Sequence, residues 1–380
     1  MKKKQTKIDF VRHYGFIIEK TEEKLDEKMY NEMADSPVML LNWIIPDMGE
    51  GSGGHINIFR FISGLEERGF HSRIYLYRSE KFKDDWEIRR FLREKFPGLD
   101  ARAEIYQDVR SMTFAHGTIA TSWDTAYCLR RFHNTISKFY FVQDYEPYFY
   151  ARGSEFEMAK RTYQFGFRGI FAGDWLKGKL WNEFGMRGDS YRFSYDREVY
   201  RRGHKTHRKN RIFFYARPVT PRRDFELGIL AIARLLKRLP DTEVVLAGWD
   251  VKEIDIPFPY TDLGILDTRH LSDVYADCDL CLVLSHTNLS LLPLEIMASG
   301  SVAVCSKGDN STWLLNEENS VLVEFDVEEI AKRMEYYLTH KEELAAIREA
   351  GFLFAQGTSW EEAIDKVQTM LVKGIEDDKD

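Results

Sequence analysis

The chain has 380 residues, of which 54 are Lys or Arg and 61 are Asp or Glu, so its formal net charge is −7. This length predicts two domains, and the 44% of hydrophobic residues excludes a disordered chain. The negative charge argues against general nucleic-acid binding. No apolar run approaches the roughly 20 residues of a membrane-spanning helix, and none follows the N-terminal lysines as in a secretory signal. The four scattered cysteines favour reduced thiols, and we expect a cytoplasmic protein.

Residues 1–36 predict a polar, helical N-terminal extension. An amphipathic spacing is followed by Phe10, Val11, Tyr14, Ile17 and Ile18. We expect this helix to pack on the first domain. The alternative is a helix that lies on an anionic membrane, which the lysines before it favour and the acidic residues after it oppose.

Two runs of alternating strand and helix patterns follow this extension. The first, over 37–200, begins with the apolar segment Val38–Ile45 and indicates an α/β domain with a parallel sheet. The second, over 201–358, follows the basic segment Tyr200–Lys209, which we interpret as a linker. Residues 359–380 predict a helix that packs back on the N-terminal domain. The fold class is therefore α/β, with two doubly wound Rossmann-like domains, and we expect ligands in a cleft at the carboxyl ends of their strands.

A glycine-rich loop joins the first strand to the first helix of the N-terminal domain. Residues Gly49–Gly54 fit the pattern G-x-G-x-x-G, in which the backbone and the helix N-terminus approach an anion. We expect Gly53 and Gly54 to contact a diphosphate. NADP binding stays open, because Arg78 after the second strand suits a 2′-phosphate where an NAD site needs an acidic residue.

Two arginines follow the first strand of the second domain. Arg217 and Arg222 lie in a loop that Pro218 and Pro221 keep extended. Guanidinium groups at the carboxyl edge of a sheet are suited to grip a diphosphate and to stabilise its charge as it leaves. The alternative is a pair of exposed arginines that interact with Asp224.

The segment Leu289–Gly300 is the most specific motif of the second domain. Pro293 predicts the first turn of a helix. Glu295 lies early in this helix, where a carboxylate suits the recognition of hydroxyl groups. The backbone at Ser290 and Leu291 offers N–H groups to a phosphate.

These motifs resemble the nucleotide-binding domain of retaining glycosyltransferases with the GT-B fold. The resemblance identifies Glu295 as the second acid of an E-x7-E signature, which holds ribose hydroxyls, and Gly248 as a glycine at a strand end. It implies that the base lies near Gly264–Asp267, in contact with Leu266. Thr287 stands where the family has the first acid, which contacts the donor sugar.

Three segments of the first half carry a closer resemblance, namely Phe141–Tyr150, Pro46–His55 and Thr121–Ala126. They resemble the rhamnosyltransferases of bacterial rhamnan and S-layer glycan assembly, the WsaF-like group, and the likeness covers nearly the whole chain. The resemblance implies a dTDP-β-L-rhamnose donor, a growing polysaccharide acceptor, retention of configuration, and no metal or other cofactor.

Acidic and aromatic residues follow a predicted strand of the first domain. We expect Asp144 and Glu146 to bind donor-sugar or acceptor hydroxyls, with Asp144 in the catalytic set, and a structural turn at Pro147 is the alternative. Tyr145 and Tyr148 are expected to stack on saccharide rings, and core packing is the alternative for them.

Several functions stay open on the sequence alone. They are a sugar-nucleotide epimerase, an NADP oxidoreductase, and a catalytically inactive nucleotide-sugar-binding subunit, which the threonine at position 287 suggests. A lipid-linked acceptor with peripheral contact at the inner face of the membrane is open too, as is the oligomeric state.

Overall fold

The chain divides into two compact units in this structure, a computed structural model that describes residues 9–49, 52–266 and 268–379, with the backbone alone at 268 and 269. Unit 1 comprises Met1–Phe171, Leu180–Asp189 and Ile364–Asp380, and unit 2 comprises Ala172–Lys179 and Ser190–Ala363. The C-terminal segment therefore belongs to the same unit as the N-terminal half.

The basic segment Tyr200–Lys209, which the sequence predicts to be a linker, is tied into unit 2. Lys205 Nζ lies 2.5 Å from Asp279 Oδ2. Thr206 donates its backbone N–H and its hydroxyl to Asp277 Oδ1 at 2.7 and 2.8 Å. The predicted boundary at residue 200 thus falls inside unit 2. Charge composition misplaces it because the acidic partner of residue 206 lies 71 residues further along the chain.

Unit 1 contains a seven-stranded sheet. Its strands are β1 (Leu40–Ile45), β2 (His71–Leu76), β3 (Glu104–Tyr106), β4 (Ala115–Ala120), β5 (Thr135–Val142), β6 (Arg168–Ala172) and β7 (Gly188–Tyr191). Its helices are α1 (Phe10–Ile18), α2 (Glu27–Met33), α3 (Gly53–Glu67), α4 (Asp85–Lys95), α5 (Trp123–Arg131), α6 (Ser154–Arg161), α7 (Asp174–Phe184, shared with unit 2) and α14 (Trp360–Lys379). The strand order is β3-β2-β1-β4-β5-β6-β7, and the pairs from β3 to β6 are parallel. The order reverses between β1 and β4, which makes this sheet doubly wound.

Unit 2 contains a six-stranded sheet whose pairs are all parallel. Its strands are β8 (Arg211–Tyr215), β9 (Glu243–Ala247), β10 (Thr261–Asp262), β11 (Leu280–Val283), β12 (Val302–Ser306) and β13 (Val321–Val323). Its helices are α8 (Phe225–Leu236), α9 (Thr268–Ala276), α10 (Leu292–Ala298), α11 (Asp309–Thr312), α12 (Val327–Thr339) and α13 (Lys341–Gln356). The strand order β10-β9-β8-β11-β12-β13 reverses between β8 and β11.

A continuous apolar core holds one face of the unit 2 sheet against its helices. The core joins Phe214 of β8 and Leu246 of β9 with Ile232 of α8 and Met334 of α12, all of them fully buried or nearly so. Burying each such side chain stabilises the fold by about 1.5–3 kcal/mol. This packing fixes the strands, and hence the loops at their carboxyl ends.

The aromatic side chain of Phe16 packs helix α1 on unit 1. The ring of Phe16 contacts Tyr77, Trp123 and Tyr127 at centroid distances of 6.2, 5.7 and 5.6 Å. The opposite face leaves Phe10, Val11 and Ile18 exposed. The predicted amphipathic helix therefore packs on unit 1 with one face and leaves apolar side chains exposed on the other. In the described residues no helix combines the length and apolarity that a membrane span requires.

Helix α14 packs on the unit 1 sheet at two glycines. A Cβ atom at Gly374 would lie 2.7 Å from the ring of Phe139 on β5, and one at Gly64 of α3 would lie 2.5 Å from Ile364. Ser137 on β5 donates to the Gly374 carbonyl at 2.8 Å. The absence of side chains at these glycines lets the helix approach the strand and α3 closely.

Replacing Gly374 by leucine should destabilise unit 1. Overpacking of a tight contact typically costs about 1–3 kcal/mol, and urea unfolding of the Gly374→Leu variant should show a loss of this size. Gly178→Leu in α7 is the control, because a Cβ there meets nothing within 4 Å. Equal stability of the two variants would show that α14 does not depend on this contact.

Candidate functional site

The carboxyl edge of the unit 2 sheet carries the loops that hold six of the predicted site residues. Because the strand order reverses between β8 and β11, the chain leaves these neighbouring strands in opposite directions and opens a space at this edge. The loop after β8 contains Arg217 and Arg222, and the loop after β11 contains Ser290 and Leu291. The fold thus brings the predicted diphosphate residues of this unit to one edge of one sheet.

Arg217 and Arg223 lie beside the same aromatic ring. The guanidinium carbon of each is 6.0 Å from the centroid of Tyr215, the last residue of β8. Arg217 also donates from Nη1 to the Tyr215 hydroxyl at 3.4 Å and lies 5.6 Å from the ring of Trp249. Two cations therefore gather around one side chain at the end of the first strand.

The guanidinium of Arg217 has an unused donor. Its Nε is buried and has no hydrogen-bond partner, and no carboxylate pairs with Arg217, among the residues that the structure describes. An unpaired buried donor costs about 1–3 kcal/mol, and an oxyanion would satisfy it with a charge-assisted hydrogen bond. Arg217 therefore has the features of an anion-binding residue.

The sequence analysis predicts Arg222 as the second diphosphate-binding arginine and does not include Arg223. Residues Pro221–Arg223 form a 3-10 turn, in which successive side chains point roughly 120° apart. The contact with the Tyr215 ring belongs to Arg223, whereas the carbonyl of Arg222 accepts the backbone N–H of His286 at 3.0 Å. The feature of the sequence that could have indicated Arg223 is that it directly follows another arginine.

Gly248 follows β9 and occupies a position that only glycine fits. Its φ is +115°, and a Cβ atom would lie 2.8 Å from the ring of Tyr215. Its N–H donates to the carbonyl of Gly264 at 2.8 Å, which ties the loop after β9 to the segment predicted to hold the base. Leu266 in that segment is half-buried, and residue 267 lies outside the described residues.

Thr287, at the position of the first acid of the E-x7-E signature, lies in the interior of unit 2. Thr287 and Ser285 are both fully buried, and their hydroxyl oxygens are 3.4 Å apart. Asn310 donates its side-chain amide to the carbonyls of both residues, at 3.1 and 2.6 Å. Neutral hydrogen bonds therefore occupy the place where the resembling family has a carboxylate.

Ser290 and Leu291 form the turn into α10. Ser290 has φ +62°, and its N–H donates to Asn288 Oδ1 at 3.3 Å. Leu291 is the N-cap of α10 and caps it with no side-chain hydrogen bond. This turn directs the chain from the buried Asn288 into the helix that carries Glu295.

Glu295 lies half-buried on α10, close to a buried tyrosine. Burial, and then the charge of Glu295, raise the pKa of the Tyr275 phenol well above its usual value, and Tyr215 adds to this effect. The charge of the carboxylate predicted to hold the ribose thus acts on Tyr275.

In unit 1, Gly53 and Gly54 are exposed at the N-terminus of α3. The carbonyl of Gly54 accepts a hydrogen bond from Gln143 Nε2 at 3.2 Å, so the glycine loop is held next to the end of β5. Ser52 Oγ and His55 Nδ1 are 2.8 Å apart. Residues 50 and 51 of the predicted loop lie outside the described residues.

Glu146 points into the core of unit 1. One carboxyl oxygen accepts the backbone N–H of Trp123 at 3.0 Å, and the other accepts the hydroxyl of Tyr140 at 2.8 Å. Burial raises the pKa of Glu146 to about 8, with smaller contributions from Asp124 and Asp144. This geometry favours the structural turn over the expected role in binding sugar hydroxyls.

The remaining residues of this segment divide between the core and the surface. Tyr145 is 2% exposed and stacks on Tyr163 at 5.6 Å, which favours core packing over stacking on a saccharide. Tyr148 is 42% exposed and touches Tyr145 edge-on at 4.7 Å. Asp144 is half-buried and accepts the N–H of Tyr145 at 2.8 Å. Asp144 and Tyr148 therefore remain accessible to a sugar.

Arg78, the cation that left NADP open, is used by the N-terminal helix. It donates from Nη1 to the carbonyl of His13 at 3.0 Å and from Nη2 to the carbonyl of Arg12. Its guanidinium carbon lies 4.8 Å from the ring of Phe16. These contacts leave the side chain holding α1, which weakens the case for a 2′-phosphate site. Among the described residues no group of three or more His, Cys, Asp or Glu side chains is arranged to hold a metal ion.

Comparisons of the sequence find similarity to known proteins. Residues 210–335 match the family described as WsaF, C-terminal domain. The O-antigen biosynthesis protein RfbC of Myxococcus xanthus is 30% identical over 349 residues, which cover 89% of this chain and 27% of that protein. The chain thus spans about a quarter of the length of this curated relative.

Solved structures share the fold over most of the chain. Sucrose-phosphate synthase from Thermosynechococcus elongatus is 14% identical with a TM-score of 0.66, covering 88% of this chain and 98% of that one. HepE of Anabaena in complex with UDP and glucose is 13% identical with a TM-score of 0.64, covering 89% and 100%. WaaG, a glycosyltransferase involved in lipopolysaccharide biosynthesis, is 13% identical with a TM-score of 0.63, covering 88% and 100%. The predicted GT-B type of fold, with two Rossmann-like α/β domains, is confirmed.

The buried Glu146 should make the stability of the protein depend on pH. Its pKa is about 8 in the folded protein and 4.5 ordinarily, so the stabilisation by the protonated form is fully present below pH 4.5 and is lost as the pH rises through 8. The free energy of unfolding should fall by up to about 1.4 kcal/mol per pH unit in this window. Glu146→Gln should remove most of this slope in urea unfolding from pH 5 to 9.

The exposed Glu157 of α6 provides the matched control, and Glu157→Gln should keep the wild-type slope. An unchanged slope in Glu146→Gln would mean that the carboxyl group is ionised in the folded protein.

Proposed function

We propose that the chain is a glycosyltransferase that transfers a sugar from a nucleotide diphosphate donor, bound by unit 2, to a growing polysaccharide. On the sequence resemblance the donor is dTDP-β-L-rhamnose, the configuration is retained, and no metal is needed. The observation that carries the proposal is the half-buried Arg217, whose buried Nε lacks a partner among the described residues, with a second guanidinium beside the same Tyr215 ring.

A diphosphate fits this arrangement by charge and by hydrogen bonding. Both guanidinium groups are cationic, and each attracts an anion that binds close to it. Hydrogen bonds to charged groups contribute about 1.5–3 kcal/mol each. Arg217 and Arg223, together with the predicted Arg222, would supply several such bonds from one loop.

The same arginines would serve catalysis. When the bond between sugar and phosphate breaks, negative charge grows on the leaving diphosphate, and fixed cations stabilise it more in the transition state than in the ground state. Loss of one positioned donor typically costs about 3–4 kcal/mol of this stabilisation. The leaving phosphate then takes the proton of the acceptor hydroxyl as the new glycosidic bond forms on the same face of the sugar. The guanidinium charges take the role that a divalent cation has in metal-dependent transferases.

The nucleoside would lie against the neighbouring loops. Glu295, which lies near Tyr275, is suited to accept hydrogen bonds from ribose hydroxyls. The backbone of Gly264 and the side chain of Leu266 would line the base, in the segment that Gly248 holds by its hydrogen bond. In unit 1, the exposed Tyr148 and the half-buried Asp144 would contact the saccharide.

A lipid-linked acceptor would bring the protein to the membrane surface. Helix α1 is anchored by Phe16 and leaves Phe10, Val11 and Ile18 exposed, which is the arrangement of an interfacial helix. The Myxococcus relative is named for O-antigen biosynthesis, which supports a polysaccharide acceptor.

Replacing Arg217 should abolish transfer and weaken nucleotide binding. Arg217→Ala removes a buried charged donor, and the Kd for dTDP, measured by isothermal titration calorimetry, should rise roughly 10- to 100-fold. Arg208→Ala, at an exposed position in the same unit, is the control and should bind as the wild type does. Wild-type affinity in Arg217→Ala would refute the diphosphate site.

Incubation with dTDP-rhamnose and a rhamnose-containing acceptor tests the reaction itself. Mass spectrometry should show the acceptor extended by one deoxyhexose, and turnover should be unchanged by a chelator. An isomerised donor without acceptor would indicate an epimerase instead. Binding of dTDP without transfer to any acceptor would indicate an inactive subunit, for which the buried Thr287 would be the first residue to test.

A further inference from the structure

His286 joins two loops of unit 2 that carry predicted donor-binding residues. Its backbone N–H donates to the carbonyl of Arg222 at 3.0 Å. Its ring Nε2 lies 3.0 Å from Asp224 Oδ1. His286, in the loop after β11, therefore holds the turn after β8 at two points, namely the residues on either side of Arg223.

Asp224 is held in a conformation that it does not adopt readily. Its φ is +51° and its ψ +47°, in the left-handed region, where a residue with a side chain is strained. It ends the turn that contains Arg223 and begins α8 without a side-chain capping bond. Such a conformation persists only where its surroundings impose it. The bond from His286 contributes to this, beside the backbone bonds from Asp224 to Pro221 and from Gly228 to Asp224.

Asp224 and His286 also attract each other by charge. The side chain of Asp224 is only 14% exposed, and its Oδ2 has no hydrogen-bond partner among the described residues. The hydrogen bond to Asp224, and then its charge, raise the pKa of His286 above its usual value. A buried carboxylate needs a hydrogen-bond partner, and the His286 ring provides one.

His286 itself is fixed on three sides. Its ring stacks on Phe325 with centroids 4.0 Å apart and planes 13° apart. The residue before it, Ser285, donates its N–H to Ser306 Oγ at 3.0 Å, and the residue after it, Thr287, gives its carbonyl to Asn310 at 2.6 Å. These contacts fix the position of His286, which in turn contacts the turn after β8.

We propose that His286 is a positioning residue for donor binding. By holding the Arg222 carbonyl and the Asp224 carboxylate it fixes the turn between them, so that the Arg223 guanidinium stays beside Tyr215 and Arg217. This role rests on the proposed function of that cation pair. It requires no contact between His286 and the donor, because the imidazole acts through the turn that it holds.

Loss of the ring should loosen the turn and leave the fold intact. The His286 side chain is 51% exposed, so its removal leaves no large cavity, and the core of unit 2 does not include it. Arg223 would then sample more orientations before it binds, and the affinity for the diphosphate would fall because the site is less preorganised.

The test measures the Kd for dTDP by calorimetry in His286→Ala and His286→Gln. We expect the alanine variant to bind about fivefold more weakly or worse, and the glutamine variant to recover part of the loss, since its amide N–H donates to Asp224 as well. His340→Ala is the matched control. His340 is an exposed imidazole of the same unit that stacks on Tyr336 at 4.0 Å and 17°, and its loss should leave Kd unchanged.

A double-mutant cycle with Arg223→Ala separates positioning from a general effect on stability. If His286 acts through Arg223, adding His286→Ala to Arg223→Ala should raise the Kd by less than twofold. An equal fold-loss in both backgrounds would overturn the positioning role. So would a wild-type Kd in His286→Ala. If the wild-type protein bound neither dTDP nor UDP, the proposed function would fail, and the positioning role would fail with it.

Discussion

The cation pair beside Tyr215 is the feature on which the account of this protein depends. At exposed sites an aromatic ring attracts a guanidinium by about 0.5–1 kcal/mol. This attraction does not offset the cost of a buried donor without an acceptor, which is about 1–3 kcal/mol. The Nε of Arg217 is in that position. We propose that an oxyanion supplies the missing acceptor for this donor.

The fold supplies the place for this anion through the order of its strands. The reversal between β8 and β11 puts two loops at one edge of the unit 2 sheet. Gly248 lacks the Cβ that would collide with Tyr215, so the loop after β9 can lie against the ring. On the other side, Ser285 and Thr287 are fixed by neutral hydrogen bonds from Asn310. These contacts fix the loops that surround the arginines.

The sequence predicts the strands and the loops better than the side-chain environments. The position of Arg217 just after the end of β8 is predictable, because the apolar strand before it is evident in the sequence. Arg223 is not, because its contact with Tyr215 depends on a 3-10 turn that spacing does not reveal. Glu146 accepts hydrogen bonds from Tyr140 on the preceding strand β5 and from the first N–H of α5. No sequence pattern around residue 146 indicates the second partner, which lies 23 residues away. The basic segment near residue 205 resembles a linker until its acidic partners, distant in the sequence, are placed beside it.

The contribution of the second phosphate to binding tests the central claim most directly. Calorimetric titration of the wild-type protein with dTDP and with dTMP isolates this contribution, since both carry the same nucleoside. The account predicts that dTDP binds at least about tenfold more tightly, which corresponds to about 1.4 kcal/mol. Equal affinity for the two nucleotides would contradict it, because the guanidinium groups at the end of β8 would then hold no diphosphate.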